Sequence, residues 1–454
     1  MNFHSLVEKQ RDYFQQDNTR SREFRISMLR KLQSAVKSNE NLFNEAMKKD
    51  MNKNPSEVYM TETGIVLEEL RFHIRHLSRW MQDKRVKTPM AQFPSKSFIS
   101  PEPYGIALIM APWNYPIQLC LEPLIGAISA GCTAVVKPSA YASATSNAIA
   151  QVLRSIYPEE YIAVVEGGRE QNTALLEEKY DYIFFTGSPT VGRLVMESAA
   201  KNLTPVTLEL GGKSPVIVDK TADVGLAAKR IAFGKVLNAG QTCVAPDYLF
   251  IHRDVKDEFI ILYKLALAKF FPGDTVQDMN TIINEKHFER ITGLLDSGKI
   301  VEGGKTDRER KFVEPTLLDE VKLDSPIMQE EIFGPILPMI TYEDIGECID
   351  YIVKHPKPLA LYLFTKDSDI EKQVLNKCSF GGGCINDTII HLATTHMGFG
   401  GVGNSGMGNY HGKKSFDTFT HYRSIVKKAN WLDIPIRYRP YSKKRDKLMR
   451  FFLK

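Results

Sequence analysis

Short apolar runs alternate with helical stretches from residue 105 onward, and this alternation restricts the fold more than any other feature. The runs at 105–111, 133–139 and 180–188 have the length of strands, and stretches with apolar residues at every third or fourth position lie between them. Strands and helices that alternate at this spacing form βαβ units around a parallel sheet. A second series of the same kind follows residue 210. We therefore predict an α/β fold with two α/β domains after an N-terminal helical part.

The size and composition of the chain are those of an ordinary globular protein. It has 454 residues, of which 43% are hydrophobic and 25% are charged, and this length suits two or three domains. The six cysteines show neither a CxxC pair nor the spacing of a disulfide framework, and the first residues are polar. No apolar run reaches the roughly 18–20 residues that a membrane-spanning helix needs. We expect a soluble protein in a reducing cytoplasm.

The charge is unevenly distributed along the chain. The net charge is +5, but the segment from Arg423 to the end carries eleven Lys or Arg against two Asp, a local charge of +9, which leaves −4 for the first 422 residues. Since nucleic-acid-binding proteins usually carry their positive charge on the folded domain, we expect no nucleic-acid partner. The tail, residues 431–454, mixes basic and aromatic residues. It can lie on an anionic membrane surface, pack on a partner subunit or remain disordered.

The stretch NAGQTCVAPDY, residues 238–248, places Cys243 at the end of a helical segment, with small residues before it and Pro246 after it. A cysteine used for packing would stand among Leu, Ile and Val, and no other cysteine is spaced as its disulfide partner. Cys243 is therefore a candidate nucleophile. Such a thiol needs an acid–base partner and a donor for an oxyanion.

Two polar residues at strand ends can supply these functions. Glu209 lies between two leucines in TLELGG, and acidic side chains are rarely buried unless they are paired. Burial would raise the pKa of Glu209, which suits a general base near neutral pH. Asn114, in APWNYP after a buried strand, can donate its amide N–H to a developing oxyanion. Taken singly, each can also be structural: a core Cys, a capping Asn and a strand-end Glu.

A glycine turn and a lysine point to an anionic ligand. The segment FTGSPTVG, residues 185–192, follows a strand and opens a helix, and Gly187 and Gly192 permit a tight turn where a pyrophosphate would be favoured. The spacing is GxxxxG rather than GxGxxG, so the turn alone can be purely structural. Lys137 follows another apolar strand, at the edge where open α/β sheets bind ligands, although it can also be a solvated surface charge.

Longer motifs occur in a fixed order over nearly the whole chain: PWNYP, LELGGKSP, GQTCVAPDY, EEIFGP (330–335) and FGGVGNSGMG (399–408). Together they resemble the signature blocks of the aldehyde dehydrogenase superfamily. The forms VAPDY, GNSGMG and YHGKKSF (410–416) are similar to its class 3 branch, the fatty and aromatic aldehyde dehydrogenases. The resemblance implies a Rossmann-type NAD(P)-binding domain, an α/β catalytic domain and a small oligomerisation flap.

The same resemblance implies how the chain divides into domains and segments. The expected parts are N-terminal helices with a dinucleotide-binding domain (1–83 and 104–209), a catalytic domain that carries Cys243 (210–397), oligomerisation or bridging segments (84–103 and 398–430) and a basic amphipathic tail (431–454). Relatives of class 3 are usually dimers, so we expect a homodimer.

The resemblance further implies the oxidation of an aldehyde to a carboxylic acid with NAD or NADP. Cys243 would attack the aldehyde to give a thiohemiacetal, whose oxyanion Asn114 and the Cys243 backbone N–H would hold. After hydride transfer, Glu209 would activate the water that hydrolyses the thioester. Room for substrate and nicotinamide beside the sulfur would come from small neighbours, namely Gly240, Thr242 and Ala245.

The cofactor contacts are also assigned through the resemblance: Glu331 for the nicotinamide ribose, Phe333 for its ring, Lys137 for the adenine ribose, and Gly187, Ser188 and Gly192 for the turn at the pyrophosphate. One residue departs from the family pattern. Ala140 stands where many relatives carry a glutamate that would repel a 2′-phosphate. We therefore expect NADP to be usable as well as NAD.

The class 3 resemblance implies medium- or long-chain aliphatic or aromatic aldehydes, and a polyene aldehyde would also fit. Three other functions stay open: a CoA-acylating enzyme, a thiol hydrolase without a redox step, and a non-catalytic scaffold. Glu209 favours water over CoA, and Lys137 and Glu331 would have no task in a hydrolase. No metal site is expected, because the ten histidines form no HExxH motif.

Overall fold

The computed structural model of the chain describes residues 2–452. Helices of varied length make up the N-terminal part and cover both faces of the sheets. Their bounds are α1 (Phe3–Gln15), α2 (Arg22–Ser38), α3 (Glu40–Met51), α4 (Pro55–Val58), α5 (Gly64–Trp80), α6 (Pro116–Ala130), α7 (Ser143–Ile156), α8 (Arg169–Leu176), α9 (Pro189–Ala200), α10 (Val224–Val236), α11 (Lys256–Phe270), α12 (Glu285–Thr292), α13 (Pro326–Gln329), α14 (Ile345–Lys354), α15 (Ser368–Lys377), α16 (Lys413–Thr418) and α17 (Lys443–Phe452).

The strands belong to two large sheets and two small ones. Their bounds are β1 (Lys84–Val86), β2 (Ser95–Pro103), β3 (Ile106–Met110), β4 (Thr133–Lys137), β5 (Ile162–Val164), β6 (Tyr182–Gly187), β7 (Val206–Leu210), β8 (Pro215–Val218), β9 (Tyr248–His252), β10 (Lys299–Glu302), β11 (Thr306–Asp307), β12 (Phe312–Val313), β13 (Thr316–Asp319), β14 (Ile336–Tyr342), β15 (Ala360–Phe364), β16 (Gly382–Ile385), β17 (Gly406–Met407) and β18 (Thr420–Lys428).

The first large sheet has the strand order β17-β7-β6-β3-β4-β5. Neighbouring strands are parallel except β17, which pairs antiparallel with β7. The central strand β3 is buried along its whole length, as expected for a parallel strand covered by helices on both faces. One covering helix, α6, is likewise buried throughout and ends at Gly131, whose φ of +94° suits a glycine C-cap.

The second large sheet has the order β10-β13-β14-β9-β8-β15-β16, and only the edge strand β10 pairs antiparallel. One continuous apolar core contains Ile109 of the first sheet, Leu249 and Leu361 of the second, and Leu29 of α2. The predicted α/β fold with two parallel sheets after an N-terminal helical part is therefore confirmed.

A three-stranded antiparallel sheet stands apart from both, in the order β1-β2-β18. Strand β18 pairs with β2 over nine residues, from Thr420 opposite Pro103 to Lys428 opposite Ser95. Within residues 2–452, the outer edge of β18 has no strand partner. The segment 398–430 thus divides between two sheets, since β17 belongs to the first sheet and β18 to this one. The division into domains stays a prediction.

Residues 431–452 form an exposed extension that ends in α17. Trp431 and Phe451 are 73% and 72% exposed, and α17 contains no buried residue. Within residues 2–452, no helix has the length and apolar character that crossing a membrane requires.

Candidate active site

A cavity of about 500 Å³ lies where β3, β6 and β7 end, facing the loops that precede β9 and β14 of the second sheet. Parallel strands bring the residues at their carboxyl ends to one edge, which is where α/β sheets bind ligands. The structure brings most of the predicted site residues together here. Those that line the cavity are Asn114, Gly187, Ser188, Glu209, Cys243, Glu331 and Phe333.

Cys243 reaches this cavity through a left-handed turn that the sequence analysis interpreted as helix. The helix α10 ends at Val236, and Asn238, Ala239 and Gly240 then adopt φ values of 51°, 53° and 70°. A Cβ on Gly240 would lie 2.3 Å from the carbonyl oxygen of Gly334. Gly240 therefore makes room for the backbone of the loop before β14, which contains Gly334. The sequence analysis had predicted that Gly240 makes room for substrate or nicotinamide, and the structure does not give it that position.

Hydrogen bonds from Asn238 fix this turn to the rest of the site. Its Nδ2 donates to the carbonyl oxygen of Asn114 at 2.8 Å and to that of Gln241 at 3.1 Å. Its backbone N–H donates to Glu57 Oε1 at 2.9 Å. An asparagine also tolerates a positive φ better than most residues. The cysteine loop and the Asn114 loop are consequently held as one unit.

The thiol of Cys243 is half-buried and lies near carboxylates. Burial, then the charges of Glu331 and Glu209, raise its pKa to about 12, while the backbone N–H groups of Cys243 and Val244 favour the thiolate. The thiol is therefore protonated at neutral pH in the ligand-free protein. Its activation requires a neighbouring base that accepts the proton.

Glu209 has the position and the environment that such a base needs. It lies on β7, is 3% exposed, and neither of its carboxylate oxygens has a hydrogen-bond partner among the described residues. Burial raises its pKa well above the usual value, as its leucine neighbours predicted. A buried acid without a partner is costly, so its free oxygens are available to a proton donor in the cavity.

Asn114 offers an amide donor at the same place. Its Nδ2 donates to the carbonyl oxygen of Gln241 at 3.1 Å. Because an amide nitrogen carries two hydrogens, one of them remains for an oxygen that enters the cavity. The side chain is buried, so a hydrogen bond from it is stronger than one made in water.

Glu331 lies on the loop between α13 and β14. Hydrogen bonds to the backbone of Glu331 and Ile332 hold this loop in place. Arg290 donates to the carbonyl oxygens of Glu331 and Ile332 at 3.2 and 2.7 Å, and the Ile332 N–H donates to Asp247 at 2.9 Å. Burial, then Asp247, raise the pKa of Glu331 to about 8. Its Oε1 is buried without a hydrogen-bond partner in residues 2–452.

The residues at this side of the cavity fit a dinucleotide. Ser188 is the N-cap of α9, and its hydroxyl accepts from Val191 N, so the helix N-terminus with its partial positive charge faces the cavity. The unpartnered Glu331 Oε1 can accept from a ribose hydroxyl. Phe333, with φ of +50°, places its ring 5.4 Å from that of Trp113.

Two predicted cofactor residues do not line the cavity. Lys137 ends β4 and donates its Nζ to the carbonyl oxygens of Pro138 and Gly167 at 2.8 and 2.6 Å, and burial lowers its pKa to about 8. A Cβ on Gly192 would lie 2.6 Å from Leu210. Gly192 therefore serves the close packing of α9 on β7, and Lys137 stands beyond the cavity at the edge of the sheet.

A second, apolar cavity of about 160 Å³ adjoins Cys243. The two cavities share Leu119, Cys243, Phe399 and Tyr410. Sequence reasoning missed this cavity, because its wall comes from distant segments. The remaining lining residues include Met60, Ile65, Phe233, Leu237, Ile390 and Leu392.

One group of side chains could hold a metal ion. Glu69, Glu122 and His411 are buried, and each offers a ligand atom within 4.8 Å of the others. These residues lie on α5, on α6 and before α16, so the short spacing of an HExxH motif does not reveal them. His411 also lines the apolar cavity.

Comparisons with known proteins agree on one family. The family model described as "Aldehyde dehydrogenase family" matches residues 1–425. The 4,4'-diaponeurosporen-aldehyde dehydrogenase of Staphylococcus aureus is 49% identical over 97% of both chains. Aldehyde dehydrogenase family 3 member B1 of Bos taurus is 43% identical over 97% of this chain and 95% of its own.

Two further comparisons bear on cofactor and fold. The "Aldehyde dehydrogenase, dimeric NADP-preferring" of Mus musculus is 42% identical over 94% of both chains. The solved structure described as the substrate-bound state of Staphylococcus aureus AldH has a TM-score of 0.98, with 47% identity and full coverage of both chains.

Proposed function

Because the chain belongs to the aldehyde dehydrogenase family, it oxidises aldehydes to carboxylic acids with NAD or NADP, and we propose that Cys243 is its nucleophile. One observation carries this proposal: one cavity is lined by a thiol, an amide donor and a carboxylate that has no hydrogen-bond partner within residues 2–452, from Cys243, Asn114 and Glu209. The similarity to family 3 enzymes supports the class 3 assignment.

The proposed reaction begins with the bond from the Cys243 sulfur to the aldehyde carbon. Since burial keeps the thiol protonated, its proton has to leave as the sulfur attacks, and Glu209 can accept it. The carbonyl oxygen gains negative charge, and the free amide hydrogen of Asn114 and the Cys243 N–H stabilise it. The nicotinamide, when bound, supplies the hydride acceptor. The product on the sulfur is then a thioester.

Hydrolysis completes the proposed cycle. After its first proton has left for solvent, Glu209 takes a proton from a water molecule, the hydroxide adds to the thioester carbon, and the sulfur leaves. The carboxylic acid is released, and Cys243 regains a proton. A non-redox thiol hydrolase would leave Glu331 without a task, and CoA would make Glu209 unnecessary as a base for water.

We propose that Glu331 binds the nicotinamide ribose, Phe333 packs on the ring, the Gly187–Ser188 turn receives the pyrophosphate, and Lys137 contacts the adenine ribose. Ala140 is exposed and carries no charge that would repel a 2′-phosphate. NADP should therefore be used with a catalytic efficiency within about a thousandfold of NAD, which corresponds to roughly 4 kcal/mol. The relative named as NADP-preferring supports this expectation.

The substrates proposed here are medium- and long-chain or aromatic aldehydes, polyene aldehydes included. The apolar wall beside Cys243 supports this class, since burial of each CH₂ contributes about 0.8 kcal/mol. The relative named for 4,4'-diaponeurosporen-aldehyde gives further support.

The first experiment follows NADH formation at 340 nm with aldehydes from acetaldehyde to hexadecanal, with NAD and NADP in parallel. We expect rates to rise with chain length and to vanish in Cys243→Ala. If NADH forms only when CoA is added, the hydrolytic role of Glu209 is wrong and the chain is a CoA-acylating enzyme. Equal rates for all chain lengths would contradict the apolar cavity as the substrate site.

We also propose a cytoplasmic homodimer whose tail contacts anionic membranes peripherally. The open edge of β18 supports the dimer, because an unpaired strand edge is a template for pairing with another chain.

The exposed Trp431 and Phe451, set among basic residues, support the membrane contact. Co-sedimentation with vesicles that contain anionic lipid should fall after deletion of 437–454. Unchanged co-sedimentation, or its equal strength with neutral vesicles, would contradict the role of the tail.

A further inference from the structure

A long aldehyde does not fit within the apolar cavity beside Cys243. That cavity has a volume of about 160 Å³, whereas cavities that enclose a drug-sized ligand measure roughly 300–1,000 Å³. The larger cavity that shares Cys243 is lined by Ser188, Glu331 and Phe333 and fits a dinucleotide. The distal part of a long chain therefore has to leave the apolar cavity and needs a further surface to bind.

A second cavity of about 480 Å³, here called the outer groove, adjoins the apolar cavity. It lies between α4, the end of α10 and the segment that follows α11. Met60, Phe233 and Leu237 line both the apolar cavity and the outer groove. Met60 and Phe233 are 50% and 36% exposed, and Leu237 is buried. A chain that leaves the apolar cavity past Met60 and Phe233 therefore enters the outer groove directly.

The wall of the outer groove that is farther from Cys243 in the chain is apolar and partly aromatic. Phe270 ends α11 and Phe271 follows it. Both pack against the core and stay partly exposed, and Val236 and Met279 extend the same wall. The Phe271 N–H donates to the carbonyl oxygen of Leu267 at 2.9 Å, which fixes the backbone here. Hydrocarbon that covers these side chains removes apolar surface from water, which favours binding.

The polar groups of the outer groove do not suit an anion. Asn280 Nδ2 donates to Glu57 Oε1 at 2.9 Å and to Asn238 Oδ1 at 3.0 Å, so these groups bond to one another. Among the described residues that line the groove, the charged side chains are Glu57 and Asp278, and none is Lys or Arg. Acidic walls repel a phosphate or a carboxylate, whereas a hydrocarbon chain needs no polar partner.

We propose that the outer groove binds the distal hydrocarbon of a long-chain aldehyde, and that Phe270 and Phe271 determine the preference for long chains. This inference rests on the proposed function, since it places the carbonyl carbon at Cys243. The apolar cavity then holds the carbons next to the aldehyde group, and the outer groove holds the carbons beyond them. Each fully buried CH₂ strengthens binding about fourfold. A groove that is open on one side gives a smaller factor for each carbon, but several carbons contribute.

The test is the ratio of kcat/KM for hexadecanal to kcat/KM for hexanal, a short chain that stays in the apolar cavity. Ser56 is exposed on α4 and lines the outer groove but not the apolar cavity, so the indole in Ser56→Trp occupies only the groove. We expect this variant to lower the ratio about ten- to hundredfold, the loss of a few buried CH₂ groups, and to leave kcat/KM for hexanal near the wild-type value. The matched control is Ser34→Trp, at an exposed serine in a separate surface cavity on α2. It should keep the wild-type ratio.

A second pair of variants keeps the test decisive if Ser56→Trp fails to fold. Phe271→Ser removes part of the apolar wall and should lower the ratio, whereas Phe271→Leu should keep most of it. Glu57 and Asn280 are left unchanged, because they hold Asn238 in the turn before Cys243.

The inference is overturned if folded Ser56→Trp or Phe271→Ser keeps the wild-type ratio, or if Ser34→Trp loses it equally. Equal kcat/KM for the two aldehydes in the wild type also overturns it. So does a ratio that is lost only when residues 431–454 are deleted, because the tail would then bind the chain. A wild-type enzyme that oxidises neither aldehyde contradicts the proposed function instead.

Discussion

Glu209 illustrates that the environment of one side chain can be predicted from its neighbours in the sequence. A glutamate between two leucines at a strand end predicts a buried acid, and Glu209 is a buried carboxylate with no hydrogen-bond partner among the described residues. In Glu209→Gln we expect the first NADH per active site and the later turnover both to slow, the turnover by about 10²–10⁴-fold, because the proton of Cys243 and the proton of the attacking water both lose their base. Rapid-mixing absorbance at 340 nm measures both phases. Cys243→Ala should give neither, and unimpaired turnover in Glu209→Gln would contradict the hydrolytic role.

Glu331 gives a prediction about pH. Its pKa of about 8 means that the carboxylate is neutral below pH 8 and charged above it. A charged acceptor binds ribose hydroxyls more strongly than a neutral one, so KM for NAD should rise as pH falls through 8, by about tenfold for a difference near 1.4 kcal/mol. Glu331→Gln should flatten the profile. A KM for NAD with the same pH dependence in both enzymes would exclude Glu331 as the titrating group.

Other site residues could not be predicted, and the reason is their distance along the chain. Trp113 and His287 face the cofactor side of the cavity, but His287 stands in none of the motifs, and the PWNYP motif that contains Trp113 gave that residue no role. The cluster of Glu69, Glu122 and His411 exists only because α5, α6 and the loop before α16 meet in the fold. Reactive groups at strand ends are visible in a sequence, whereas the residues that position them depend on tertiary packing.

At the scale of elements, periodicity predicted the parallel strands well and the turn before Cys243 poorly. Strands β3, β4 and β6 are continuous apolar runs, and that pattern is specific to buried parallel strands. The turn at 238–240 continues the spacing of α10, so periodicity cannot separate it from helix. Its left-handed conformation follows from the contact with Gly334 and the bonds of Asn238.

This turn predicts a difference between two glycine substitutions. Gly240→Ala places a Cβ 2.3 Å from Gly334 O at a positive φ, so we expect unfolding to cost about 1–3 kcal/mol less than in the wild type. Gly225→Ala, in the first turn of α10, meets only Asp223 Oδ1 at 3.7 Å, and should be neutral or stabilising by up to about 1 kcal/mol. Urea unfolding compares the two. Equal effects would show that the turn carries no strain.

At the scale of the whole molecule, the open edge of β18 predicts the assembly. Light scattering after size exclusion should give about twice the chain mass of 51.4 kDa. Deletion of 431–454 should leave the protein a dimer of the shortened chain, since β18 ends at Lys428. A monomeric wild type would contradict the proposed dimer, and a monomer formed only by the deletion would assign the interface to the tail.

Strand β2 pairs with β18, and β7 pairs with β17. These pairings determine when, during synthesis, the two sheets can be completed. The ribosome makes β17 about two hundred residues after β7, and β18 more than three hundred residues after β2. Tyr410 and His411 emerge within the same late segment. Since domains fold as their residues emerge, a nascent chain carries Cys243 long before the wall beside it exists. The active site around this thiol is therefore complete only when translation is nearly finished. A chain whose synthesis stops early is released without an assembled active site.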